Sequence, residues 1–289
     1  MAQIRAIRNR MTAVGTISRI TKTMQMIATA KFTAAFARAR DSRPYTEAIK
    51  RLVGEVSGDA GDYDSPLFAS KSKSNKELLL VISSDRGLCG AYNGNVLRMA
   101  IKHVRNVIEK GHEVEIETAG KKSAAFFKFQ KMAPAEQFAL GDKPSYEDVS
   151  RLADRYIEGF IAGKWDAVRV AYMRFESNSK QIAEIIQLLP LAPNTGDETT
   201  DGTSANYDFS PSAEEILDDL LPRSVKTALF QVFNDSIVSE QIMRMIAMKS
   251  ATENANDIGR DLRRDYNRAR QAQITTELTE IISGAAAIE

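Results

Sequence analysis

Chemistry needs residues of the right type within reach of one another, and the stretch that comes nearest is Asp85-Arg86-Gly87-Leu88-Cys89-Gly90. It follows a continuous apolar run, Leu78-Leu79-Leu80-Val81-Ile82, and precedes an amphipathic stretch from about Asn93 to Lys110. That order reads as a strand, a glycine loop and a helix. Helix N-termini attract phosphate, so the loop is the one place where a nucleotide could sit. It lacks GxGxxG, the Walker lysine pattern and an acidic residue at the end of a second strand, and the expected role is a tight turn with close helix packing. Cys89 is the single cysteine, which excludes an internal disulfide and fits a reducing compartment. A nucleophilic Cys89 would need a base, and neither His103 nor His112 is near it in sequence. One Cys and two His give no metal-ligand spacing. The charges from Glu253 to Arg270 read as a solvated helix face. The expectation is no catalytic residue, no cofactor and no metal.

The elements around the loop are of two kinds. From Arg223 to Ala287 the chain has no Pro, and its one internal Gly before Gly284 is Gly259. Read as one helix, roughly 65 residues at 1.5 Å each span about 95 Å. Leu229, Val232, Phe233, Ile237, Ile242, Met245, Ile246 and Met248 form a broad apolar stripe, whereas Ala251, Ala255, Ile258, Leu262, Tyr266 and Ala269 form a narrow seam suited to a two-helix coiled coil. At the other end, Ile4, Ile7, Met11, Val14, Ile17, Ile20, Met24 and Ile27 recur at three- and four-residue steps, with consecutive three-steps from Met11 to Ile20 that should overwind the supercoil. The pattern predicts a helix over about 2–57, ending in the cluster Gly54, Gly58 and Gly61, and paired antiparallel with the C-terminal one.

Between them, Glu113 to Glu117 and Trp165 to Phe175 read as strands, Lys180 to Leu189 as an edge strand, and Lys121 to Phe129 and Ser145 to Ile161 as helices, the second capped by Ser145. The alternation predicts a Rossmann-like α/β domain over 75–190 with a mostly parallel sheet. Asn194 to Ser210 reads as a solvated linker, and Ser212 as the cap of a short helix stopping at Leu221-Pro222, with the long helix starting there. The fold class is therefore mixed α/β and α+β: a long antiparallel coiled coil from 1–57 and 211–289 plus the central α/β domain.

Lys+Arg 39 against Asp+Glu 38 in 289 residues leaves net charge near zero, so charge implies neither nucleic acid nor a membrane surface. Up to Arg51, however, eleven basic residues stand against Asp41 and Glu47 alone. A basic, acid-poor amphipathic start could be a transit peptide, but the helical pattern runs on past the usual length. No apolar run approaches the roughly 18 residues of a membrane span.

Four stretches carry a resemblance. Ile17-Ser18-Arg19-Ile20-Thr21-Lys22-Thr23-Met24-Gln25-Met26-Ile27-Ala28 and the run from Arg268 to Ala287 strongly resemble the ends of the gamma subunit of F-type ATP synthase. Ser84 to Gly90 and Met248-Lys249-Ser250-Ala251-Thr252-Glu253-Asn254-Ala255 are similar to two further signatures of that family. Thr23 stands where the family often has Ala, and Ile27 where Val is common. No Cys-bearing insertion of the chloroplast type interrupts the central domain.

The resemblance implies a non-catalytic central shaft in a ring of three alpha and three beta subunits. It also implies a foot on the epsilon subunit and the membrane c-subunit ring, and coupling of proton flow to ATP synthesis by rotation. It places Met24, Arg244, Arg270, Gln271, Thr275 and Glu277 against beta-subunit loops or in support of the helix pair. It further implies a bacterial protein, peripheral on the cytoplasmic face of the plasma membrane, binding no nucleic acid and forming no homo-oligomer. Two rivals remain distinguishable: a nucleotide-dependent α/β enzyme with helical extensions would bind nucleotide saturably, and a purely structural coiled coil would form a stable homodimer.

Overall fold

The computed structural model describes residues 2–59, 65–68, 74–139, 141–191 and 212–286. The chain divides into two compact units, one of Met1–Ala30 with Arg244–Glu289 and one of Lys31–Met243. Two long helices, α1 (Ala2–Asp59) and α5 (Ala213–Ala286), each contribute residues to both.

The larger unit is organised on β1 (Lys76–Ile82), whose apolar run is buried along both faces. Alternate side chains point to opposite faces of a strand. Leu78, Leu80 and Ile82 therefore enter one core cluster, and Leu79 and Val81 enter another. After β1 come α2 (Tyr92–Glu109), β2 (Glu113–Ala119), α3 (Lys121–Phe129), β3 (Glu136–Phe138), α4 (Tyr146–Ile161), β4 (Ala167–Ser177) and β5 (Lys180–Leu189). The sheet order is β3-β2-β1-β4-β5. The first four strands are parallel, and β5 returns antiparallel at the edge. One face is covered by α2 and α3 through Val96, Ala100, Val104 and Phe127. The other is covered by α4 together with Ile49, Val53 and Val56 of α1 and Leu217 to Phe233 of α5. Ser145 caps α4 as expected, its Oγ accepting from Asp148 N at 3.0 Å.

Three differences from the expected elements have physical reasons. Strand β3 was not anticipated, because three residues are too few to show a period of two. Trp165 was expected inside a strand but precedes β4, buried beside Tyr156 with its Nε1 donating to Glu115 Oε2 at 3.2 Å. The break expected at Leu221-Pro222 is absent: α5 runs through Pro222. Proline removes one backbone hydrogen bond, at about 3 kcal/mol. Here Leu217, Leu221, Val225 and Leu229 are fully buried at four-residue steps, and that packed stripe carries the helix across the defect. Likewise α1 passes Gly54 and Gly58, while Gly61 and the linker 194–210 lie outside the described residues.

In the smaller unit the two helices pair antiparallel. Thr252 Oγ1 donates to Thr21 Oγ1 at 2.8 Å and Ser18 Oγ to Asn256 Oδ1 at 2.7 Å, so rising numbers on α1 meet falling numbers on α5. The seam corrects the sequence reading. On α1 Ile4, Ile7, Met11, Val14, Ser18, Thr21, Gln25 and Ala28 are covered at alternating steps of three and four, and Met24 beside Gln25 is covered as the sequence reading had it. Ile17, Ile20 and Ile27 are 51%, 54% and 53% exposed. The consecutive three-steps, and the overwinding expected from them, are not used. On α5 the matching positions are Met248, Thr252, Ala255, Gly259, Leu262, Tyr266, Ala269 and Gln273, with Ile258 turned to solvent. A small-residue seam lets the backbones approach, which is worth more contact than three isoleucines could make without a matching hole.

Candidate functional site

The glycine loop is built to satisfy itself. Ser83 N donates to Ala119 O at 2.8 Å, which ties the end of β1 to that of β2. Ser84 N donates to Asn93 Oδ1 at 3.1 Å, and Asn93 Nδ2 donates to Ser84 Oγ at 2.7 Å and to Cys89 Sγ at 3.1 Å. Cys89 is buried. His103 is not beside it: its Nε2 meets Glu77 Oε1 at 2.5 Å, and Arg169 Nε lies 3.3 Å from the same carboxylate.

At the strand ends, Asp85 Oδ1 accepts from Lys121 N at 2.9 Å, so the N-terminus of α3 is occupied by the chain's own carboxylate. The adjoining cavity, about 40 Å³, is lined by Asp85, Asp142 and Glu240 with Ser83, Tyr92 and Gly120. It is far below the roughly 300 Å³ at which small-molecule sites begin, and its three carboxylates would repel phosphate.

Perturbed titratable groups elsewhere in this unit are fixed by partners rather than poised in a cleft. Burial pushes the Glu117 carboxyl up, and the Tyr156 hydroxyl and Arg155 guanidinium beside it oppose the rise. Tyr156 OH donates to Glu117 at 2.8 Å, while Arg155 bridges Glu117 and Glu136 and lies over the Phe138 ring. Burial and the Glu117 charge raise the Tyr156 hydroxyl well above its ordinary value. The cluster closes α4 onto β2 and β3. Among the described residues no group of three or more His, Cys, Asp or Glu could hold a metal.

The residues singled out by the resemblance all fall in the smaller unit, in two sets. Met24 and Arg244 are half-buried. With Thr21 opposite Thr252, Met24 stands near the level of residue 249, and Arg244 lies about 8 Å further along at 1.5 Å per residue. Arg270, Gln271, Thr275 and Glu277 are exposed, and 26 to 33 residues of helix, about 40–50 Å, separate them from Arg244. Thr275 Oγ1 donates to Gln271 O at 3.0 Å, and Glu277 Oε1 accepts from Gln273 Nε2 at 2.6 Å. Met24 and Arg244 thus lie about 8 Å apart along the helix pair, and the other four form a separate run.

What the sequence reading missed is the apolar surface around both sets. Ile17, Ile20, Met26 and Ile27 project from α1, and Ile258, Ile274, Leu278, Ile281 and Ile282 from α5. Along the pair an open groove of about 630 Å³ is lined by Arg19, Lys22, Thr23 and Lys249 with Glu253. The strict alternation through Ser18, Thr21, Gln25 and Ala28 was the signal that would have turned the isoleucines outward. Apolar side chains standing on a solvated helix pair mark a surface for another protein.

Comparison with known proteins bears on which protein that is. The family model described as ATP synthase matches residues 3–288. The chain is 42% identical to the ATP synthase gamma chain of Rhodopirellula baltica, covering 100% of both chains. It is 38% identical to that of Actinobacillus pleuropneumoniae serotype 5b, again covering 100% of both. Among solved structures, a chain of the Euglena gracilis mitochondrial ATP synthase OSCP/F1/c-ring assembly matches with a TM-score of 0.67 at 18% identity, over 99% of this chain and 95% of that one. A chain of the Euglena rotor matches with a TM-score of 0.64 at 20% identity, over 94% and 99%. At these identities the structural likeness concerns the fold.

Proposed function

This chain belongs to the gamma-chain family of ATP synthase, and from that membership we propose how its surface serves the complex. It is the central-stalk rotor subunit, and it couples transmembrane proton flow to ATP synthesis. In our reading the helices of 1–57 and 211–289 act as the shaft inside a ring of three alpha and three beta subunits. The α/β body of 75–190 and the epsilon subunit connect the shaft to the membrane c-subunit ring. The chain performs no chemistry itself; it presents different faces to three catalytic sites in turn. Its partners are those subunits, not nucleic acid and not a second copy of itself. It works on the cytoplasmic face of the plasma membrane as a peripheral component; among the described residues no helix is long and apolar enough to cross a membrane.

The observation that carries the reading is the row of outward apolar side chains flanking Met24 on the paired helices. A helix pair that needed no partner would bury or replace them. Met24, Arg244, Arg270, Gln271, Thr275 and Glu277 are the residues assigned to beta-subunit loops or to support of the pair.

Capture of the tagged chain from detergent-solubilised membranes tests it. The expected result is recovery of alpha, beta, epsilon and c subunits with an ATPase activity that the isolated chain lacks. Titration of ATP, ADP or NAD into the isolated chain should release no saturable heat. Saturable binding abolished by Gly87→Val, or recovery of a homodimer alone, would overturn the assignment.

A further inference from the structure

Unit Lys31–Met243 holds a buried carboxylate that neither the glycine loop nor the helix-pair surface uses. Asp235 of α5 has a side chain only 7% exposed, and it accepts a hydrogen bond from Gln231 Nε2, one turn back, at 2.9 Å. Gln231 Oε1 accepts from Ser42 Oγ of α1 at 2.9 Å, and Arg43 Nη2 of α1 stands 3.8 Å from Asp235 Oδ1. Two consecutive residues of α1 therefore engage one turn of α5, Ser42 through Gln231 and Arg43 through the Asp235 carboxylate. The two ends of the link differ: Arg43 is 49% exposed and can swing into water, whereas Asp235 cannot follow it.

The charged and titratable groups facing Asp235 come from three other elements. From α1 there is Arg43, from β4 Arg174 and Tyr172, and from β5 Glu184. Glu184 is held in place, accepting from Tyr172 OH at 2.6 Å and from Arg174 Nε at 3.0 Å. Burial pushes the Asp235 carboxyl up to about 6; the Gln231 hydrogen bond and Arg43 pull it down, Glu184 raises it and Arg174 lowers it.

We propose that Ser42, Arg43, Gln231 and Asp235 form a proton-operated clasp between α1 and α5, in which ionised Asp235 draws Arg43 onto α5 and protonated Asp235 lets it go. The geometry gives the clasp its direction. A neutral carboxyl keeps its bond to Gln231 but offers Arg43 no charge, and an arginine half in water can turn its head group to solvent while its stem stays packed. The folded-state value lies above the ordinary one, so the stabilising effect of the neutral form is full at low pH and is lost as pH rises through about 6. The Arg43 contact has the opposite dependence: it is made above about 6 and released below it. Acidification of the surrounding compartment therefore frees this turn of α1 while leaving α5 in its core.

The test uses the full chain between pH 5 and 8. Amide hydrogen exchange of residues 39–47, corrected for intrinsic pH dependence, is measured alongside the carboxyl carbon resonance of Asp235. In the unmodified chain, exchange should accelerate several-fold as pH falls through the midpoint of that resonance. Asp235→Asn fixes the neutral form and should exchange at the fast rate throughout. Arg43→Gln should also exchange fast throughout and move the Asp235 midpoint upward. A flat profile in the unmodified chain, or a step that survives in Asp235→Asn, overturns the proposal. If Asp235→Asn does not fold, the solvent-facing Arg43→Gln still decides, because an unmoved Asp235 midpoint overturns it as well.

Discussion

At the scale of single residues, the end of β2 shows how little freedom the α/β core leaves. Gly120 has φ +105, a conformation that side chains rarely adopt, and a Cβ added there would stand 2.2 Å from Ser83 O. That oxygen belongs to the residue that closes β1 onto β2, so neither partner can retreat without breaking the Ser83 N to Ala119 O bond. Gly120→Ala should therefore lower the unfolding free energy by roughly 2–4 kcal/mol, combining backbone strain with a backbone clash. Urea unfolding of the full chain measures this, and a change within about 0.5 kcal/mol would show that the loop yields at little expense. Gly87 contrasts with it, having open space where its Cβ would be. Between these two glycines, the one with the steric constraint is Gly120, at the start of α3, rather than Gly87 in the loop itself.

At the scale of elements, the same physics decides what was legible. Four of the five sheet strands were readable, β1 because it is apolar on both faces and β5 because it stops before Pro190, whereas β3 was too short to show a period. Both long helices were readable from length and the near-absence of breakers. The seam was not, because isoleucines at 17, 20 and 27 outweigh Ser18, Thr21 and Gln25 on any hydrophobic count, whereas close helix approach selects small side chains. The run through Pro222 was hidden for a related reason, since a packed stripe outside the local sequence overrides a local breaker. The six shaft residues came from family resemblance alone; the partners proposed for them belong to another chain, and periodicity within this one discloses only its own packing. Ala255 tests the seam directly. It is buried opposite α1, one helical turn from Gly259, whose missing Cβ would lie 3.8 Å from Val14 Cγ1. Ala255→Trp should overpack the pair and cost roughly 1–3 kcal/mol, read as a lower melting temperature and weaker assembly with the alpha and beta subunits. Unchanged values on both counts would mean that α5 does not face α1 there.

At the scale of the whole molecule, a rotor subunit acting as proposed, without chemistry of its own, would influence catalysis through the energy of its surface contacts at successive angles. Smooth rotation requires those contacts to be similar in strength, since a difference of about 1.4 kcal/mol biases one position over another tenfold. Met24 suits that requirement. It is half-buried, and its uncharged, flexible side chain would let the proposed beta-subunit loop slide past without electrostatic trapping. Met24→Lys adds a charge where the partner is proposed to pass. An exposed ion pair is worth about 0–1 kcal/mol, and a partly desolvated one with a beta-subunit carboxylate would exceed that and hold the rotor at one angle. Met24 is only partly covered and a lysine stem can lie along the helix with its head in water, so folding and assembly should persist. We expect ATP hydrolysis to remain largely intact in membrane vesicles while proton pumping per ATP falls, because hydrolysis energy is dissipated in leaving the preferred angle. Measuring both rates on the same vesicles separates the outcomes. An unchanged pumping-to-hydrolysis ratio would remove Met24 from the coupling surface, and a failure to assemble would place it in the core of the helix pair.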